Sequence, residues 1–159
     1  MTNLTRFGPI VVLSAVIALF AGAALATPPK YAVSTLLARG SFGELDAQHG
    51  DVEVKRANGD ADVAFVEVTL EPGGSTGWHH HPGVGLASMA SGAVTFYNEQ
   101  CEKTVYKAGE GFHESHEPML VRNEGDDDAV FYVTFIVPSS TSDEELRVDD
   151  PQPEDCDAE

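Results

Sequence analysis

The run Trp78-His79-His80-His81-Pro82-Gly83 sets three imidazoles side by side, and imidazole is the commonest protein ligand for a transition metal. On an extended strand alternate side chains share a face, so His79 and His81 point one way while His80, with Trp78, points the other. Two nitrogens can thus converge on one ion with no helix involved. The approach Pro72-Gly73-Gly74-Ser75-Thr76-Gly77 supplies a turn and lets the backbone come close to whatever sits there. Other chemistries are poorly served. Ser88 and Ser91 lack the Gly-x-Ser-x-Gly spacing of a nucleophile elbow, Ser75 has that spacing in Gly73-Gly74-Ser75-Thr76-Gly77 but no helix to follow it, and the same run lacks the lysine of a phosphate-cradling loop.

The elements that must position these histidines read as strands. After Pro28-Pro29, β-type runs fall at 31–37, 51–55, 62–70, 77–81, 85–89, 93–97, 103–106, 110–114, 118–121 and 130–137, with Gly, Asn or Asp at the joints. That spacing predicts an all-β sandwich or barrel. Phe65, Phe96, Phe112, Phe131 and Phe135 are its expected core. No internal stretch keeps a helical period, although Ser142 could cap one short turn within 140–146. Arg122 and Asn123 are expected to brace a strand end. The run 31–37 is the edge expected to meet a second copy if the chain dimerises.

Composition narrows the class. Nine basic and 26 acidic residues leave a net charge of −17, a surface that repels phosphate backbones and anionic lipid heads. Neither nucleic acid nor a membrane surface is an expected partner. The start of the chain, with Arg6, an apolar run over 9–24 and Ala24-Leu25-Ala26, has the order of a secretory signal peptide cleaved after Ala26, and its apolar run is short for a span of about 20 residues. The expected compartment is the periplasm or the exterior. Residues 27–138 then form a single β domain and 139–159 a loosely ordered acidic tail. In an oxidising compartment the two cysteines, Cys101 and Cys156, are expected to be bridged, which would pin the tail to the body.

Taken in order, Gly73-Gly74-Ser75-Thr76-Gly77-Trp78-His79-His80-His81-Pro82-Gly83, Ser91-Gly92-Ala93-Val94-Thr95-Phe96-Tyr97, Ala108-Gly109-Glu110-Gly111-Phe112 and Val121-Arg122-Asn123-Glu124-Gly125 resemble the cupins. More narrowly, they resemble the small, exported, single-domain bacterial members of the type-2 cupin superfamily, as do the placing of Cys101 and Cys156 and the segment Arg147-Val148-Asp149-Asp150-Pro151-Gln152-Pro153. The resemblance implies an antiparallel double-sheet, jelly-roll-like barrel, often with Fe, Mn, Zn, Ni or Cu inside and often dimeric, and it carries the first-motif ligands onto His79 and His81. Two departures stand out. A glutamate commonly follows the second histidine by about four residues, where this chain has Gly85 or Leu86, and Met119 stands where the second motif has its histidine.

Replacement ligands are close by in sequence. Glu117 shares a strand face with Met119, and His113, Glu114 and His116 crowd the preceding turn. The third ligand is thus open among His116, Glu117 and Glu114. Two histidines and one carboxylate suit Fe(II) or Mn(II), three nitrogens suit Zn(II) or Cu(II), and a thioether from Met119 favours Cu(I). In the competing reading the histidines line a metal-free polar pocket. Two functions follow: an exported barrel that binds a small molecule and a metal ion in its interior, or a metal-dependent enzyme of dioxygenase or isomerase type.

Overall fold

Turn residues cut the chain into short extended runs, and these pair side by side because their alternate positions are apolar. The computed structural model describes residues 26–56 and 58–158. Apart from Ala26, the expected leader lies outside the described residues. The strands are β1 (Lys30–Phe42), β2 (Asp46–His49), β3 (Val52–Lys55), β4 (Ala61–Ser75), β5 (His79–His80), β6 (Val84–Ser91), β7 (Ala93–Asn98), β8 (Lys103–Lys107), β9 (Gly111–Glu114), β10 (Met119–Arg122), β11 (Ala129–Pro138) and β12 (Val148–Asp149). One antiparallel sheet runs β12-β5-β10-β4-β11-β6-β9, with β1 added to β4, and with β7 and β8 carried on β10. It curls until it is nearly closed into a barrel. The β2–β3 hairpin stands apart. The fold is all-β, as the spacing of the apolar runs predicts.

β4 is the spine of the barrel, with β1 on one edge and β11 on the other. Its inward residues Ala64, Val66, Val68 and Leu70 meet Phe112, Phe131, Val133 and Phe135 in the main core. Phe65, expected in that core, is instead 48% exposed. Phe65 and Val66 are adjacent, so the pleat can turn only one of them inward, and the register gives that place to Val66. Asn123 braces the end of β10 as expected, its side-chain amide donating to the Leu70 and Asp127 carbonyls.

The acidic segment 139–158 is packed where a loose tail was expected. Ser142 and Glu145 exchange hydrogen bonds in a capping-box pattern at the start of a single 3₁₀ turn, Glu144–Leu146, which delivers Leu146 into the core. β12 then pairs with β5. Further on, Cys156 and Ala158 bury the fully enclosed Trp78 together with Tyr97 and Leu120, and the Trp78 indole N–H donates to the Ala158 carbonyl at 3.0 Å. Cys101 and Cys156 are joined by a disulfide. Acidity describes only the outer face of this strap; its few apolar residues are spaced without periodicity, and they do the docking. Among the described residues no helix is long and apolar enough to cross a membrane.

Candidate metal centre

β5 is placed by the glycine two residues before it. Gly77 has φ +70°, and a Cβ there would stand 2.1 Å from the Thr27 carbonyl oxygen. The close approach that glycine allows is therefore to the chain's own residues 27–28, which seat the Trp78 N–H on the Thr27 hydroxyl. From this anchor the strand turns His79 and His81 toward the barrel interior and His80 toward the strap, where its Nδ1 meets the Asp150 carboxylate at 2.7 Å.

Both inward rings are held by backbone carbonyls. His79 Nδ1–H donates to Gly77 O at 2.8 Å, and His81 Nδ1–H donates to Leu146 O on the strap at 2.5 Å. A neutral imidazole that donates from Nδ1 carries its lone pair on Nε2, and such a second partner is what fixes a ligating histidine's tautomer and orientation. The rings stand edge to face with centroids 4.9 Å apart, and His81 also packs on Phe135 at 4.5 Å.

The third group comes from β9, whose alternation sends Phe112 and Glu114 inward and His113 outward. Glu114 lies opposite Gly85 in the ladder. A Cβ at position 85 would fall 3.0 Å from Glu114 Oε2 and 2.8 Å from the Phe135 ring. Glycine thus leaves the room that the Glu114 carboxyl fills. Glu114 Oε2 comes within 3.3 Å of His81 Nε2, yet each of these buried atoms lacks a hydrogen-bond partner. One ligand atom from each of His79, His81 and Glu114 lies within 4.8 Å of the others. Donors each about 2.1 Å from one ion stand roughly 3–3.5 Å apart in tetrahedral or octahedral geometry, so the orphaned pair fits a shared cation better than a direct hydrogen bond.

Electrostatics agrees with the geometry. Burial, with the His81 and Arg147 charges adding to it, holds His79 well below the usual histidine range. Burial takes His81 down to about 4, and the Leu146 carbonyl only partly opposes it. Burial alone lifts Glu114 to about 8. In the metal-free protein at neutral pH both imidazoles are neutral and the carboxyl keeps its proton. A cation at the shared point would favour the carboxylate and release that proton.

The other candidates lie elsewhere. His116 and Glu117 follow the end of β9 and are exposed, which places them outside the group. Met119 pairs with His79 in the ladder and is buried, but it lines a second cleft of about 240 Å³ with Phe96, Tyr106 and Phe112. Arg147 was not singled out for the site from sequence: it is one cation in an acidic stretch, and only the docking of the strap brings it here. The three candidate ligands line a cavity of about 360 Å³.

Residues 66–135 match the family model described as a cupin domain. Among solved structures, a conserved protein with a double-stranded β-helix domain from Klebsiella pneumoniae subsp. pneumoniae MGH 78578 superposes with a TM-score of 0.51 at 15% identity, covering 77% of this chain and 84% of that one. A cupin domain from Bordetella pertussis Tohama I gives 0.46 at 19% identity, covering 70% and 97%. A predicted oxalate decarboxylase from Thermotoga maritima gives 0.42 at 24% identity, covering 50% and 82%. No curated protein matches this chain.

Proposed function

Because this chain carries a cupin domain, we propose that it is an exported protein that binds a divalent transition-metal ion through His79, His81 and Glu114 and a small molecule in the cavity beside them. One observation carries the reading: His81 Nε2 and Glu114 Oε2 are buried 3.3 Å apart with no hydrogen-bond partner for either. Neither atom has a well-made hydrogen bond in place of the water it lost on burial, and a shared cation would satisfy both. The donor set, two imidazoles and one carboxylate, suits Fe(II) or Mn(II) and leaves coordination positions open. Export is supported by the leader-like start of the sequence and by the Cys101–Cys156 disulfide.

A metal-dependent enzyme is the second reading, and the presence of three candidate ligands rather than two favours it. The ion would supply Lewis acidity toward a bound oxygen atom. The chain's own part is then to hold the two Nε2 lone pairs in place through the Gly77 and Leu146 carbonyls, to give up the Glu114 proton as the ion binds, and to exclude water from the apolar lining of the cavity.

The test is metal content. Protein purified without a histidine tag and reconstituted at neutral pH with Fe(II), Mn(II) or Zn(II) should retain one ion per chain by mass spectrometry. His79→Ala and His81→Ala should each lose it. A folded wild type that retains none of the three metals overturns the proposal. Turnover of a small molecule by the loaded protein, absent from both variants, selects the enzyme.

A further inference from the structure

We infer that the cavity takes a small monocarboxylate with an apolar tail, the carboxylate held by Arg147 of the C-terminal strap; this rests on the binding reading above and names its ligand class. The cavity, about 360 Å³, is within the usual range of small-molecule sites, and its lining is of two chemical kinds. Ala32 and Leu36 of β1, Val66 and Val68 of β4, and Phe131 and Val133 of β11 line it with hydrocarbon. Apart from the Ser34 hydroxyl of β1, these walls offer no side-chain hydrogen bond, so the part of a ligand lying among them is largely apolar.

The rest of the polar lining is Thr76, His79, His81, Glu114, Asp143 and Arg147. Arg147 is the only cationic side chain among the described residues that line the cavity. Its guanidinium donates to the Thr76 carbonyl at 2.6 Å and pairs with Asp149 at 2.6 Å, while its buried Nε–H has no partner. Five N–H donors in a fixed fork are thus only partly used. Burial draws its pKa down, the sign of a cation short of solvation. Asp149 does not line the cavity, and Asp143, which does, is held by Arg39 at 2.7 Å. Glu114 is therefore the only lining acid left without a cationic partner of its own, and it belongs to the candidate metal set. A divalent ion beside the Glu114 carboxylate and the Arg147–Asp149 pair still leaves a net positive charge around Arg147. A carboxylate, planar and able to accept two parallel N–H bonds, matches the fork. The acidic exterior, at net charge −17, disfavours more highly charged anions.

Calorimetric titration of the Mn(II)-reconstituted protein with hexanoate, phenylacetate, hexan-1-ol and acetate tests this. Hexanoate or phenylacetate should bind one per chain, at least about tenfold more tightly than hexan-1-ol, which lacks the charge, or acetate, which lacks the tail; about tenfold is a conservative worth for one charge-assisted pair. Arg147→Gln should abolish the preference for hexanoate over hexan-1-ol while the chain still holds one Mn(II), and Arg147→Lys should restore part of it. The proposal is overturned if neither acid binds to protein that carries its metal, or if Arg147→Gln binds hexanoate as wild type does. The same titration on metal-free protein separates the two readings. Hexanoate preference without metal uptake removes the metal site and leaves the carboxylate site; metal uptake without either acid binding does the reverse.

Discussion

Glu114 is the residue on which the site depends, because its carboxyl occupies space that any side chain at position 85 would take. Gly85→Ala puts a carbon 3.0 Å from Glu114 Oε2 and 2.8 Å from the Phe135 ring. The carboxyl must then move, and metal affinity measured by competition with a chromophoric chelator should fall by about tenfold or more, the scale seen when a ligand's support is disturbed. Unchanged affinity would mean that Glu114 is not a ligand. The same carboxyl sets a pH dependence in the metal-free protein. Its folded pKa of about 8 lies above the ordinary 4.5, so between those values the unfolded chain gives up a proton that the folded chain keeps. Stability from this group is complete below about pH 4.5 and is lost as pH rises toward 8. Glu114→Gln should flatten that decline in thermal midpoint between pH 5 and 8, and parallel profiles for the two proteins would contradict the assignment.

At the scale of elements, the strap over 139–158 is as much a part of the site as the barrel strands. Its Leu146 carbonyl orients His81, its Arg147 lines the cavity, and β12 extends the sheet beyond β5. The disulfide fastens the far end of this segment across a sequence separation of 55 residues. Replacing both cysteines by serine should lower stability by up to about 4 kcal/mol in the chain-entropy picture, read as a lower midpoint in chemical denaturation. It should also raise the metal dissociation constant, since a looser strap holds the His81 ring less firmly. Lost stability with unaltered metal binding would show that the strap serves the fold alone. The strap was the part least legible in sequence. The β-branched and aromatic content of Val130 to Val137 and the turn residues between runs exposed most of the strands, but β12 has only two residues and is formed by pairing with β5, a tertiary event that local pattern does not encode.

For the molecule as a whole, the barrel assembles the candidate metal site by bringing distant segments together, and this explains what the sequence did and did not reveal. His79 and His81 were readable because two residues apart on one strand means one face. Glu114 was only one of several acids and histidines downstream, since the choice among Glu114, His116 and Glu117 depends on where β9 ends and on which strand it pairs with. An acid sought on the strand after the histidines was absent because Gly85 there yields its space to the neighbouring strand. The measurement that bears most directly on this account is anomalous diffraction from crystals of the protein reconstituted with Mn(II) or Fe(II). The account predicts one strong peak within about 2.0–2.3 Å of His79 Nε2, His81 Nε2 and a Glu114 carboxylate oxygen. A loaded crystal whose only peaks lie on the acidic surface, with His81 and Glu114 still facing each other across an empty gap, would contradict it.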